Sequence, residues 1–325
     1  MERISILELV EQIPDEASAY RFMEKLRWPD KPVCPHCGSI NDHRFLNPEN
    51  GTSRRTRTGS HSQRRVWKCR DCQSQFSVIT GTPFHGSKVP LRTWVFVLFE
   101  MCANKNGIAA REIQRKYGVT AKTAWFMTHR VREAMKVGVA PKFSGTVVVA
   151  DETWIGGEPK NMHANKRPTR GKGFSDQTPV LSLVSMDLGK NEVRSQVVPN
   201  VKGSTLRAAI TEQTDLPNTT LFTDSAMAYR ELTPKVARHV MVNHKAGQYV
   251  KRGAGTNAAE NYFSQLKRSI DGTFHHVSVE HLPRYLAEFD FRYSTHQLTD
   301  TQRMQRLMGQ TAGRRISYKR IAEQP

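Results

Sequence analysis

The stretch Val147–Gly157 reads VVVADETWIGG, and its interpretation decides the fold. Four apolar residues in a row, three of them β-branched, belong in the middle of a buried strand. The strand then ends in two acids, Asp151 and Glu152, followed by Trp154 and a glycine pair. Burying a carboxylate is costly unless a cation or hydrogen-bond donors meet it. Either the strand emerges into solvent here, or a metal ion sits at its end.

Outward from that strand, the segments after Pro141 keep the two-residue period. GTVVVADETWI, TPVLSLVSMDL, EVRSQVV and TTLFTDS are short, rich in Val, Leu and Thr, and bounded by Gly, Pro, Asn or Asp. Between the second and third, DLGKNE has the composition of a hairpin turn. Helical patterns follow at STLRAAITEQ, AAENYFSQLKRSI and VEHLPRYLAEFDFRYS. Strands first, then strand and helix in alternation, argue a mixed sheet flanked by helices, an α/β domain over residues 141–300. The span EPKNMHANKRPTRGKGFSD carries five Lys or Arg between Lys160 and Lys172 and reads as a flexible basic loop.

Asp224 closes the apolar LFTD as Asp151 closes VVVAD. Glu260 lies in a helix with Asn257, Ser264 and Lys267 on its face, and 35 residues separate it from Asp224. The three carboxylates converge only if the two strands are neighbours and the helix packs across them. They would then form an oxygen-lined site suited to Mg²⁺ or Mn²⁺. Two such ions roughly 3.5–4 Å apart can activate a water or hydroxyl and stabilise the leaving oxygen of a phosphoryl displacement. Asp151 would bridge both ions, and Asp224 and Glu260 would each hold one. Lys267 and Arg268 would neutralise substrate phosphates. Glu152 points to the opposite strand face and is the second choice. The plain alternative is a turn-forming Asp and a solvated Glu at each place.

The 325 residues suffice for two or three domains, with 38% hydrophobic and 24% charged. Lys and Arg number 49 against 30 acids, a net +19, and such an excess points to a polyanion, usually nucleic acid. No run approaches a membrane span, and the acidic, amphipathic N-terminus is unlike a signal peptide, so the cytoplasm is the expected location. No P-loop motif is present, which argues against ATP.

Two CxxC pairs, Cys34 with Cys37 and Cys69 with Cys72, are separated by 31 residues. In a cytoplasmic protein they read as one tetrahedral Zn²⁺ site on two knuckles, whereas a redox role for one pair leaves the other unexplained. Cys102, inside an apolar run, reads as a core thiol. The stretch GTSRRTRTGSHSQRRVWKCR, leading into the second knuckle, holds seven Lys or Arg and no acid, among them Arg54, Arg55, Arg57, Arg64 and Arg65, a candidate phosphate contact.

Residues 1–30 read as helical, with Ile4, Leu7, Val10 and Ile13 on one face. From Leu91 onward LRTWVFVLFEMCANK is apolar on most faces, with Trp94, Phe96 and Phe99 as core. Then AAREIQRKYG ends at a glycine and AKTAWFMTHRVREAM begins after Thr120 as N-cap, a helix-turn-helix candidate. Lys122, Thr123, His129, Arg130 and Arg132 supply polar and basic groups for DNA on the second helix. Tyr285, Phe289 and Phe291 read as packing for the last long helix, and packing is also the expectation for Trp154.

The order of these elements resembles the zinc-ribbon transposases of the insertion sequence 1595 family, the ISXO type. WPDKPVCPHCGS with WKCRDCQSQFSVITGTPFHGSK resembles the family's zinc ribbon, and ADETWIGG and LFTDSAMAY its first two catalytic blocks. VNHKAGQYV followed by GTNAAENYFSQLKRSIDGTFHHVSVEHLPRYLAEFDFRYS resembles the third. The resemblance implies an RNase H-like DDE catalytic domain, cutting of DNA at the terminal inverted repeats of a mobile element, and joining of the freed 3′-hydroxyls to target DNA. It places the metal-binding acids at Asp151, Asp224 and Glu260, with Asn257 the alternative third ligand, and the trailing basic residue at Lys267. His244 and His275 fall in the same blocks as secondary candidates. By analogy a homodimer or larger assembly forms on DNA, at the bacterial nucleoid.

The expected organisation is therefore an N-terminal helical segment (1–30), a zinc ribbon (31–88), a helix-turn-helix region (89–140), the catalytic domain (141–300) and a basic C-terminal tail (301–325). A DNA-binding regulator built on a silent catalytic fold and a stand-alone metal-dependent nuclease are the competing readings.

Overall fold

The computed structural model describes residues 3–46, 63–138, 140–157, 177–187, 190–224, 226–242 and 257–316. Arg54, Arg55, Arg57, His244 and the basic loop from Lys160 to Lys172 lie outside the described residues. The chain divides into two compact units, one formed by 1–135 with 297–325 and the other by 136–296.

In the first unit the N-terminal helical stretch is two helices, α1 (Ile6–Gln12) and α2 (Glu16–Arg27). Pro14 supplies no amide to the helical ladder, and Asp15 restarts the helix through a capping box with Ser18. The expected apolar face holds only in part: Ile13 is buried, whereas from α1 Leu9 turns inward and Leu7 is 73% exposed, because α1 turns a different stripe to the core. The zinc-ribbon sheet follows as three short antiparallel strands, β1 (Arg44–Phe45), β2 (Trp67–Lys68) and β3 (Gln75–Phe76). Glu24 of α2 ties to it, accepting from the Trp67 indole at 2.9 Å and from Arg65 at 2.8 Å.

Helix α3 (Leu91–Ala103) buries Trp94, Phe96, Phe99 and Cys102. Its N-terminal amides are met from outside the helix: the Glu16 carboxylate accepts from Leu91 at 2.6 Å and Arg92 at 2.9 Å. Helices α4 (Ala110–Tyr117) and α5 (Ala121–Met135) pack on each other across Gly118, whose φ of +63° is the left-handed cap that ends α4. Where the sequence suggested a basic tail, residues after Thr299 form α9 (Asp300–Gly309). Its Met304, Leu307 and Met308 are buried, and it packs on α2 and α3. A capping box between Thr299 and Gln302 was its sequence signal.

The second unit holds a five-stranded mixed sheet: β4 (Val147–Ile155), β5 (Thr178–Asp187), β6 (Lys190–Val197), β7 (Thr220–Asp224) and β8 (Arg238–Val242), in the order β6-β5-β4-β7-β8. The first three strands pair antiparallel; β4 with β7 and β7 with β8 pair parallel. One face carries Val149, Phe222 and Val240 into a cluster with Ala259, Tyr262, Phe263 and Leu266 of α7 (Asn257–Ser269) and with Leu286 and Phe289 of α8 (Leu282–Ser294). The other face carries Val148, Ala150 and Leu221 against Leu206 and Ile210 of α6 (Gly203–Gln213), and against Tyr229 and Leu232 of the 3₁₀ segment Met227–Lys235. This is the mixed sheet flanked by helices that the sequence pattern argued.

Strand β6 is an edge, and α8 occupies its outward amides. Ser294 accepts from Val193 at 2.9 Å and Asp290 from Ser195 at 2.8 Å. Asp290 also accepts from the Tyr262 hydroxyl at 2.6 Å and the Ser195 hydroxyl at 2.7 Å. Burial nevertheless pushes its carboxyl up to about 7, against the pull of those donors. In the unfolded chain an aspartate titrates near about 3.9. The folded state thus holds the proton more tightly, and this group makes stability fall as pH rises from about 4 through about 7. Asp290→Asn removes that contribution, so urea unfolding at pH 5 and pH 8 should show a smaller stability difference in the variant than in the parent.

Candidate functional site

The pairing of β4 with β7 runs from Val147–Thr220 to Val149–Phe222. Carried two residues further, the same offset sets Asp151 level with Asp224. By the two-residue period both belong to the face that carries Val149 and Phe222, the face covered by α7. Helix α7 packs on β4 and β5, with Ala259, Tyr262, Phe263 and Leu266 inward and Glu260 exposed in its first turn. An acid in that turn is also favoured by the helix dipole. Neighbouring strands with a helix packed across them are the arrangement that convergence of the three acids requires.

Asp151 is half-buried, and its carboxyl is pushed up to about 7. Desolvation is the largest cause; the charges of Glu152, Asp224 and Glu260 add to it, and the Glu152 amide, donating at 2.9 Å, opposes them. Carboxylates this close repel, and a divalent cation among them would offset both the repulsion and the burial. Asp224 also accepts from the Ala226 amide at 2.9 Å. Glu152 lies on the other face, where the Tyr229 hydroxyl donates to it. Desolvation raises the Glu152 pKa. Trp154 departs from its packing expectation: it stands 41% exposed at the end of β4. Asn257, Ser264, Lys267 and Arg268 are exposed on α7, and Arg268 donates to Ser264 at 3.0 Å. His275 follows at the C-terminal end of the π-turn after α7, with φ at +60° and its ring bonded to the Asp271 carbonyl.

The four cysteines of the ribbon meet. Their sulfurs lie within 4.8 Å of one another, with Cys34–Cys72 and Cys37–Cys69 both at 3.7 Å. A tetrahedron with Zn–S bonds of about 2.3 Å has edges of about 3.8 Å. Both knuckles fold alike: the amide of Cys34 donates to Ser39 and that of Cys69 to Ser74, each at 2.9 Å. The fifth residue of each turn takes positive φ, Gly38 in one and Gln73 in the other. On Cys37 the Ser39 amide lowers the pKa, but desolvation and the neighbouring sulfurs drive it up to about 12. Cys72 is held down to about 6, chiefly by the hydroxyl and amide of Ser74. Four thiolates crowded together call for a cation, and the donor chemistry fits Zn²⁺.

On α5 the structure separates the basic candidates. Lys122 is exposed at the helix start, and Thr123 joins Thr120 in an N-terminal cap, accepted at 3.2 Å. Arg130 is corrected. It is 6% exposed, donates to the carbonyls of His85 at 3.0 Å and Ile316 at 3.2 Å, and lies over the Phe126 ring. His129 and Arg132 are likewise buried, so the second half of α5 is core rather than a surface for phosphates. In the ribbon Arg65 is held by Glu24 and the Phe45 ring, and Arg64 donates to Ser77 at 3.3 Å.

Two family models match the chain: a transposase zinc-ribbon domain over residues 14–75 and an ISXO2-like transposase domain over residues 142–294. Between them they cover well over half of the sequence, and each falls on the structural feature it describes. This chain belongs to the zinc-ribbon DDE transposases of the insertion sequence 1595 family. It is 25% identical over 287 residues to a protein from Halobacterium salinarum (strain ATCC 700922 / JCM 11081 / NRC-1), described as an uncharacterized protein in transposable element ISH50. That similarity covers 85% of this chain and 90% of the relative. Among solved structures, a chain of the simian T-cell lymphotropic virus intasome in complex with PP2A regulatory subunit B56 gamma matches at 14% identity. The match covers 57% of this chain and 64% of that one, with a TM-score of 0.28, too low to bear on fold or function.

Membership in this family supports metal-dependent DNA cutting and strand transfer as the activity class, and DNA as the partner. No helix among the described residues is long and apolar enough to cross a membrane. For the transposase ribbon, Cys37→Ser should reduce bound zinc from one ion per chain to well below that, measured by elemental analysis after dialysis against a chelator. Full zinc retention would remove the cysteine cluster as a metal site.

Proposed function

We propose that the chain is the transposase of an insertion sequence: it binds the element's terminal inverted repeats, cleaves the ends, and joins the 3′-hydroxyls to target DNA. One observation carries the reading of the catalytic centre. The β4–β7 register, carried two residues past its last pair, sets Asp151 level with Asp224, and burial with the charges of Glu152, Asp224 and Glu260 pushes the Asp151 carboxyl up to about 7. That arrangement is unfavourable for the protein alone and favourable once cations bind.

Asp151 and Asp224 would hold two Mg²⁺ or Mn²⁺ ions, with the third ligand from Glu260 or Asn257 at the start of α7. When bound, such ions supply an activated water or hydroxyl and charge stabilisation on the leaving oxygen. The chain's own residues do the rest. Lys267 and Arg268, exposed further along α7, meet substrate phosphates as fixed positive charges. Lys122 and Thr123 at the start of α5 face the element end, and Arg64 and the arginines between the knuckles add phosphate contacts. Arg54, Arg55 and Arg57 belong to that reading on sequence grounds alone. Two ends must be handled in concert, so the working form is a homodimer or larger assembly on DNA. Transesterification is close to energy-neutral, so no ATP is required.

Asp151→Ala or Asp224→Ala should lower cleavage of an end-containing duplex by at least ~10²–10³-fold, the scale of losing one electrostatic stabiliser of a transition state. DNA affinity, measured by gel shift, should stay within about twofold, because the phosphate contacts lie elsewhere. Wild-type cutting by both variants would end the assignment. Cleavage without joining would favour the nuclease, and binding without either would favour the regulator. By contrast, Lys122→Ala should weaken binding across DNA sequences and reduce the salt slope by about one, read from affinities across a salt series.

A further inference from the structure

We infer that the hydrogen bond from Tyr229 to Glu152 is a staple that fixes Asp151 relative to Asp224, so that these two residues set divalent-ion affinity without touching the ions. The inference rests on the metal-site reading above and adds positioning residues to it.

Glu152 directly follows Asp151 on β4, and Tyr229 lies in the 3₁₀ segment that begins at Met227, just after Asp224. Parallel pairing between β4 and β7 ends at Val149–Phe222, below both acids. Above that level Asp151 faces the like charges of Glu152 and Asp224. The Tyr229–Glu152 bond joins the chain just past one acid to the chain just past the other.

The staple has a rigid anchor. Tyr229 is fully buried with Leu206, Ile210 and Leu232, so its hydroxyl cannot wander. The 3₁₀ segment is seated from the far side by Gly203 at the start of α6, where a Cβ would come within 3.0 Å of the Ala228 carbonyl oxygen. Asp224 is tied to the same segment through the Ala226 amide. Glu152 itself points away from α7, on the face opposite to Asp151. A site that shares one carboxylate between ions tolerates misplacement of only about 0.5 Å, so a fixed spacing is worth affinity.

The test uses the full-length, zinc-loaded chain and Mn²⁺ as the probe in calorimetric titration. Tyr229→Phe and Glu152→Ala should each weaken Mn²⁺ binding by about tenfold. The double variant should be no worse than either single one, because both remove the same bond. Glu152→Gln keeps an acceptor for the hydroxyl and should bind within about twofold of the parent. Cleavage by Tyr229→Phe should return toward the parental rate as Mg²⁺ is raised, an effect that loss of fold would not give. Unchanged affinity in both single variants, additive losses, or Glu152→Gln as weak as Glu152→Ala would overturn the staple. The last result would make Glu152 a ligand instead. Asp151→Ala separates the two levels: if it binds Mn²⁺ like the parent, the metal site itself fails; if it alone loses binding, only the staple fails.

Discussion

The second unit is organised around an electrostatic liability: acidic groups gathered at the end of a strand pair that is otherwise apolar. Val147, Val148 and Val149 lie beside Thr220, Leu221 and Phe222, and the burial that makes those residues good strand formers is what desolvates Asp151. Helix α7 closes one face with Ala259, Tyr262, Phe263 and Leu266, and α6 closes the other with Leu206 and Ile210. A sheet alone would let the strand ends relax into water. With both faces covered, the charges stay where the ladder puts them.

The ribbon obeys a related constraint with a different element. Its sulfurs crowd as the carboxylates do, within 4.8 Å of one another. Soft thiolates suit zinc, and hard oxygens suit magnesium or manganese. The two sets sit in different units of the chain, and their ligand chemistry would suit each to a different ion. One set stands beside a three-stranded sheet too small to supply a core of its own; the other stands on a five-stranded sheet with apolar clusters on both faces.

Much of this was legible in the sequence because it depends on short-range pattern. The strand period, the CxxC spacings, the Gly118 turn and the opposite facing of Asp151 and Glu152 all follow from neighbours within a few positions. What was not legible depends on partners far along the chain. Arg130 looks like a surface cation on a basic helix, yet one of its acceptors is the carbonyl of Ile316, 186 positions away. Asp290 looks like a solvated helix acid, and its donors come from β6 and α7. Tyr229 reads as one more aromatic until β4 is laid beside it. The register that sets Asp224 level with Asp151 follows from β4–β7 pairing that no local pattern encodes. In α1 a run of apolar residues supports more than one inward stripe, and only packing selects Leu9 over Leu7.

An open sheet margin is a template on which any extended chain can polymerise. Here the β6 margin has two of its outward donors already satisfied, by Ser294 and Asp290 of α8. A strand arriving from another copy would find those donors spent, and would have to expel a packed helix to reach them. Any copies brought close together would therefore be steered away from fusing along this margin, and left to meet through side chains.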